Sequence, residues 1–71
     1  MFYFFRRGQA LTRCEIRTDW NGDGYELVID CPDAGVRIER FARTHELNRR
    51  WAEVERGLLS EGWHGPQPIG R

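Results

Sequence analysis

The chain is predicted to be an α+β protein, a four-stranded antiparallel β-meander packed on one C-terminal α-helix in the order ββββα. Three observations predict this. Leu11 to Trp20 and Tyr25 to Cys31 alternate along their length with period two, as strands buried on one face do. Clusters of Gly, Asn, Asp and Pro separate these runs at hairpin spacing. One stretch, Thr44 to Gly62, instead repeats its apolar residues with a helical period.

Met1 to Arg6 is rich in aromatics and bounded by Arg7-Gly8-Gln9-Ala10, which predicts a strand and a turn. It is apolar on both sides: Phe2 and Phe4 point one way, Tyr3 and Phe5 the other. In the second strand Thr12, Cys14, Ile16, Thr18 and Trp20 share one face, while Arg13, Glu15, Arg17 and Asp19 share the other. Asn21-Gly22-Asp23-Gly24 forms the next turn, because these residues tolerate positive φ. In the third strand Tyr25, Leu27, Ile29 and Cys31 face inward. Closing the hairpin about Gly22-Asp23 sets Ile16 opposite Ile29 and Cys14 opposite Cys31.

Pro32-Asp33-Ala34-Gly35 is a further turn, with proline pre-setting φ and glycine closing it. Val36 to Phe41 is the fourth strand, expected to carry Val36 and Ile38 inward and Arg37 and Glu39 outward. In the helix, Leu47, Trp51, Val54 and Leu58 form the core stripe, and Glu46, Arg49, Arg50, Glu53 and Arg56 the wet side. Glu46 and Arg50 stand in the favourable order for an ion pair one turn apart. Thr44 is the expected N-cap and Gly62 the C-terminal cap. Gly57 costs about 1 kcal/mol inside a helix and suggests close packing or a bend. Residues 1–64 are read as one domain, with Trp63 sealing the helix end. Residues 65–71, rich in Gly and Pro, are read as a flexible tail.

Composition bounds the function. A chain of 71 residues buries only about 60% of its unfolded surface, so the core is thin and a dimer would relieve it. Eleven basic residues balance eleven acidic ones, so no net field draws the chain to nucleic acid or membrane. All eleven basic residues are Arg, a bias that a GC-rich coding genome produces. No transmembrane run or signal core is found, which predicts a cytoplasmic protein with Cys14 and Cys31 as free thiols rather than a disulfide or a zinc pair.

Because one helix covers one face, the other is expected to stay open. It is expected to display Arg13, Arg17, Val28, Arg37, Glu39 and one aromatic pair, either Phe2 and Phe4 or Tyr3 and Phe5. The candidate partner-binding residues are therefore Phe2, Tyr3, Phe4, Phe5, Arg13, Arg17 and Arg37. The favoured function is a non-enzymatic binding module that contacts itself, as a homodimer, or another protein through its first strand and open face. The alternative is single-stranded nucleic acid on that face, with bases stacked on aromatics and arginines on phosphates. The ββββα order is similar to that of the Whirly and Pur families, whose curved sheets bind single-stranded DNA. That resemblance is of topology and brings no residue with it. Glu15, Asp19, Glu26, Asp30 and Glu39 would repel a phosphate backbone there.

A third reading is calcium at Asp19 to Asp30. Asp19-Trp20-Asn21-Gly22-Asp23-Gly24, with Asp30 eleven residues after Asp19, matches most of D-x-N-x-D-G-x5-E and resembles a dockerin loop in ending on Asp. Its flanks alternate as strands rather than helices, so a plain hairpin turn is expected and no metal site is assigned. His45, His64 and Ser60 stand in no catalytic spacing, and no phosphate-cradling loop is present. No catalytic residue or cofactor is assigned.

Overall fold

A computed structural model describes residues 1–18 and 22–68. The elements run β1 (Phe2–Arg7), β2 (Ala10–Thr18), β3 (Tyr25–Cys31), β4 (Gly35–Phe41), α1 (Thr44–Ser60) and β5 (His64–Pro68). The strands form one antiparallel sheet in the order β4-β3-β2-β1-β5, with α1 across one face. The expected four-stranded meander and C-terminal helix are thus present, and a fifth strand is added.

That fifth strand corrects the reading of residues 65–68 as a flexible tail; residues 69–71 lie outside the described residues. β5 lies along β1, with Tyr3 opposite Pro68 and Phe4 opposite Gln67. Proline is tolerated there because the strand is an edge and its outer side needs no ladder donor. Gly65, at φ +152°, lies so close to β1 that a Cβ would sit 2.7 Å from the Phe4 carbonyl oxygen. Glycine thus lets the two backbones approach, and what reads as a breaker is an edge-strand device. One consequence is that β1 is interior to the sheet.

Between β1 and β2, Gly8 at φ +60° opens a two-residue turn joining Arg7 to its partner Ala10. Between β2 and β3 the register differs from expectation by two residues: Ile16 faces Leu27 and Cys14 faces Ile29. A slip of two keeps every side chain on its predicted face, so the core is unaffected. It does part Cys14 from Cys31 as cross-strand partners, and both thiols are free. Asp19 and Trp20, expected at the end of the second strand, and Asn21, the first residue of the expected turn, lie outside the described residues.

β4 corrects the largest misreading. Cys31 pairs with Gly35 across the Pro32-Asp33-Ala34 turn, which puts Ile29 opposite Arg37 and Leu27 opposite Glu39. Since Leu27 and Ile29 face the helix, so do Arg37 and Glu39, while Val36 and Ile38 turn to the open face. The turn length sets this parity and overrides the apolar pattern of the strand. Phe41, on the same side as Glu39, still reaches the core.

The helix matches its expected stripe, with Leu47, Val54 and Leu58 buried and Trp51 packed on the core. Its N-cap is Arg43 and not Thr44, with no side-chain capping bond. The Thr44 hydroxyl instead donates to the Tyr25 hydroxyl at 3.0 Å. Its C-terminus closes as expected: Gly62 at φ +90° donates to the Leu59 carbonyl, and Trp63 donates to that of Leu58. This is the two-bond Schellman stop. Trp63 then drops into the core beside Phe5, Cys14 and Leu27.

Candidate functional site

The register fixes what the open face displays. Phe2 and Phe4 stand opposite Glu15 and Arg13, whereas Tyr3 and Phe5 stand opposite Cys14 and Thr12 on the helix side. Tyr3 and Phe5 are therefore core residues, their rings packed against Trp51 at centroid distances of 5.2 and 6.1 Å. Arg37, expected on the open face, stands on the helix side. Of the seven candidate residues, the sheet brings together Phe2, Phe4, Arg13 and Arg17.

Sequence reasoning missed their apolar neighbours. Phe2, Leu11, Val36 and Ile38 are 38%, 44%, 63% and 52% exposed on the same face. Val28 lies between Glu15 and Ile38 in one cross-strand row and is only 6% exposed. A signal for Val36 and Ile38 was present: the three residues between Cys31 and Gly35 fix their parity against Leu27. An apolar pattern alone does not say which face of an edge strand is covered.

Apart from the exposed Arg6, opposite Leu11, the described charges on this face are paired with one another. Glu26 accepts from Arg17 Nε at 2.8 Å and pairs with Arg40 Nε at 3.0 Å. Arg17 also lies 3.6 Å from Glu15, and Arg13 pairs with Asp30 at 3.9 Å while its guanidinium sits over the Phe2 ring at 5.9 Å. The Arg17 hydrogen bond, then the Arg17 and Arg40 charges, hold the Glu26 carboxyl below its ordinary range against the opposing effect of burial. Among the described residues each of the three carboxylates on this face thus has an arginine partner. The result is apolar ground crossed by a ladder of ion pairs, with Arg6 left over as a cation.

The helix side of β4 differs. Glu39 accepts from Arg50 Nε at 2.7 Å and Nη2 at 3.1 Å, in place of the expected Glu46–Arg50 pair along the helix. Arg50 also reaches Glu53 at 3.3 Å, and Arg37 lies 3.5 Å from Glu39. A cleft of about 290 Å³ opens between α1 and the β3–β4 hairpin, with Cys31, Arg37, Arg50 and Glu53 on its walls. No histidine lines it, and its arginines are held by carboxylates. Cys14 lies in the core, where burial first and the neighbouring Cys31 second push its thiol up to about 11. A thiol that stays protonated is a poor nucleophile.

Of the calcium pattern, Asp19 and Asn21 lie outside the described residues. Asp30, its last position, lies near the end of β3 and pairs with Arg13. Five residue steps along the extended strand, about 17 Å, separate it from Tyr25 at the start of β3. Among the described residues no helix is long and apolar enough to cross a membrane. No protein-family model matches the chain, and no solved structure is significantly similar to it.

Proposed function

We propose that this protein is a small contact module that associates with a second copy of itself through the open face of its sheet. The observation that carries this is the run of exposed Phe2, Leu11, Val36 and Ile38 on one face whose carboxylates are already matched by arginines. Apolar surface of this kind marks contact sites, and carboxylates already paired within one face suit a like surface better than a charged one. A standard interface takes about 800 Å² from each partner, roughly a sixth of the 4886 Å² this chain exposes. One face of a sheet can supply that share, and the thin core gains from it.

Light scattering after gel filtration tests the reading. The mass is expected to rise from 8.4 kDa towards twice that as concentration increases. Where the open face itself is the contact, Phe2→Ser combined with Leu11→Ser, both at exposed positions, returns it to the monomer with circular dichroism unchanged. A parent chain that stays at the monomer mass at every concentration rules the reading out.

A second reading, single-stranded nucleic acid, draws on Arg13 over Phe2, an arginine and an aromatic offered together. Arg17 would join on phosphates, but Arg37 would not, being on the other side. A labelled oligonucleotide titrated at low salt decides it, since binding must weaken steeply as salt rises.

A further inference from the structure

We propose that two copies join edge to edge through β4, antiparallel about a two-fold axis at Ile38, making one continuous sheet of ten strands. This rests on the reading that the chain self-associates but moves the contact from the open face to the β4 edge. Phe2 and Leu11, on β1 and β2, then stay outside it, so Phe2→Ser with Leu11→Ser is expected to leave this dimer intact. The sheet has two edges, β4 and β5. β5, His-Gly-Pro-Gln-Pro, has two residues without a backbone N–H and is a poor template for further pairing. β4, Gly-Val-Arg-Ile-Glu-Arg-Phe, has seven residues and no proline, and among the described residues one row of its amides and carbonyls has no strand beside it. Every residue of β4 outside Glu39 and Phe41 is exposed.

The side chains of β4 select the partner and the register. About an axis at Ile38, Arg37 stands opposite the partner's Glu39, and Glu39 opposite the partner's Arg37. On the open face Ile38 meets the partner's Ile38, and Val36 lies beside the stem of the partner's Arg40. Sliding the strands by two residues, the smallest slip that keeps the faces aligned, brings Arg37 against its own copy in one direction. In the other direction it brings Glu39 against Glu39. Like charges directly opposite are unfavourable. Slips of one residue would turn one sheet over, placing its helix on the wrong side. The opposite signs at positions 37 and 39 therefore fit one register and oppose its neighbours.

Of the two charged groups, Arg37 can swing to the partner while Glu39 stays where Arg50 holds it. Arg37 touches Glu39 of its own strand only at 3.5 Å, and its side chain is 62% exposed, so it can turn to the partner. Glu39 is held in place by the two hydrogen bonds from Arg50, so the anion is presented at the edge by the helix. Across the axis the row Val28–Ile38 continues into the partner's Ile38 and Val28, joining two apolar strips into one.

Charge reversal tests the register. Arg37→Glu leaves only acids at positions 37 and 39, and Glu39→Arg only arginines, so each protein alone is expected to run as a monomer. Mixed in equal amounts, they are expected to form a heterodimer, because each acid now faces an arginine. Glu39→Arg also removes the partner of Arg50, so its fold is checked by circular dichroism and an independent variant is included. In a Cys31→Ser background, Ile38→Cys is expected to form a disulfide-linked dimer with oxidised glutathione. Val36→Cys, about 13 Å from its own symmetry mate in this register, is expected to cross-link at least tenfold less. If the parent chain dimerises while neither charge variant dissociates it and Ile38→Cys does not cross-link, the β4 edge is overturned and the open-face reading survives. Equal cross-linking of Val36→Cys and Ile38→Cys overturns the register. A parent that is monomeric at every concentration removes self-association itself.

Discussion

Glu26 is the buried carboxylate of the described sheet, 7% exposed on a face with no helix over it. A carboxylate so placed is tolerable only with partners, and Arg17 and Arg40 reach it from the strands on either side. Its folded pKa is depressed, so the stability it contributes is fully present above the unfolded value. That contribution is lost as pH falls through the folded value. Glu39, held down chiefly by the Arg50 hydrogen bond, acts in the same direction. The urea midpoint is therefore expected to be level between about pH 7 and 5 and to fall below about pH 4.5. Glu26→Gln is expected to lower the midpoint at pH 7, with the gap to the parent closing as the solution is acidified. A gap that stays constant with pH would show that the ion pairs add nothing through ionisation. The composition reveals balanced charge, but only strand register shows that Arg17, Glu26 and Arg40 form one row.

At the scale of elements, α1 was the most legible part of the chain. Leu47, Trp51, Val54 and Leu58 announce its core side, and Gly62 announces its stop, because both follow from local geometry. β4 was misread because its facing depends on a turn three residues long, while its own apolar residues, Val36 and Ile38, point the other way. The two helix-linked glycines make opposite predictions. A Cβ on Gly57 would meet nothing within 4 Å, so close packing does not account for that glycine. Gly57→Ala is expected to stabilise by about 0.5–1 kcal/mol, roughly 2–8 °C in Tm for a domain this small. Gly62 sits at φ +90°, and Gly62→Ala is expected to cost about 1 kcal/mol through backbone strain, since the nearest side-chain atom is an ordinary 3.8 Å away. Thermal melts of both variants measure this, and a destabilised Gly57→Ala would show that the helix needs a glycine there.

For the whole molecule, the sheet, the helix and β5 meet at one side chain. Trp63 is the residue after the glycine stop and precedes the fifth strand, and it is 1% exposed among residues of β1, β2, β3 and α1. Arg7 covers its ring from outside, 4.4 Å from the centroid. Its role as a seal was legible in the sequence. The strand that follows was not, because Gly65 and Pro66 signal a break unless a neighbouring edge is known to receive them. A chain of 71 residues has roughly 4–11 kcal/mol of stability in all. Truncating a buried tryptophan to alanine costs about 3–5 kcal/mol, so Trp63→Ala is expected to leave the chain largely unfolded or close to it at 37 °C. Trp63→Phe keeps an aromatic body and gives up an indole N–H for which no protein acceptor is found among the described residues, so it is expected to cost clearly less. Urea titrations of both variants compare the two losses directly. Similar losses would mean that the indole's polar edge, and not its buried ring, ties β5 and the helix end to the core.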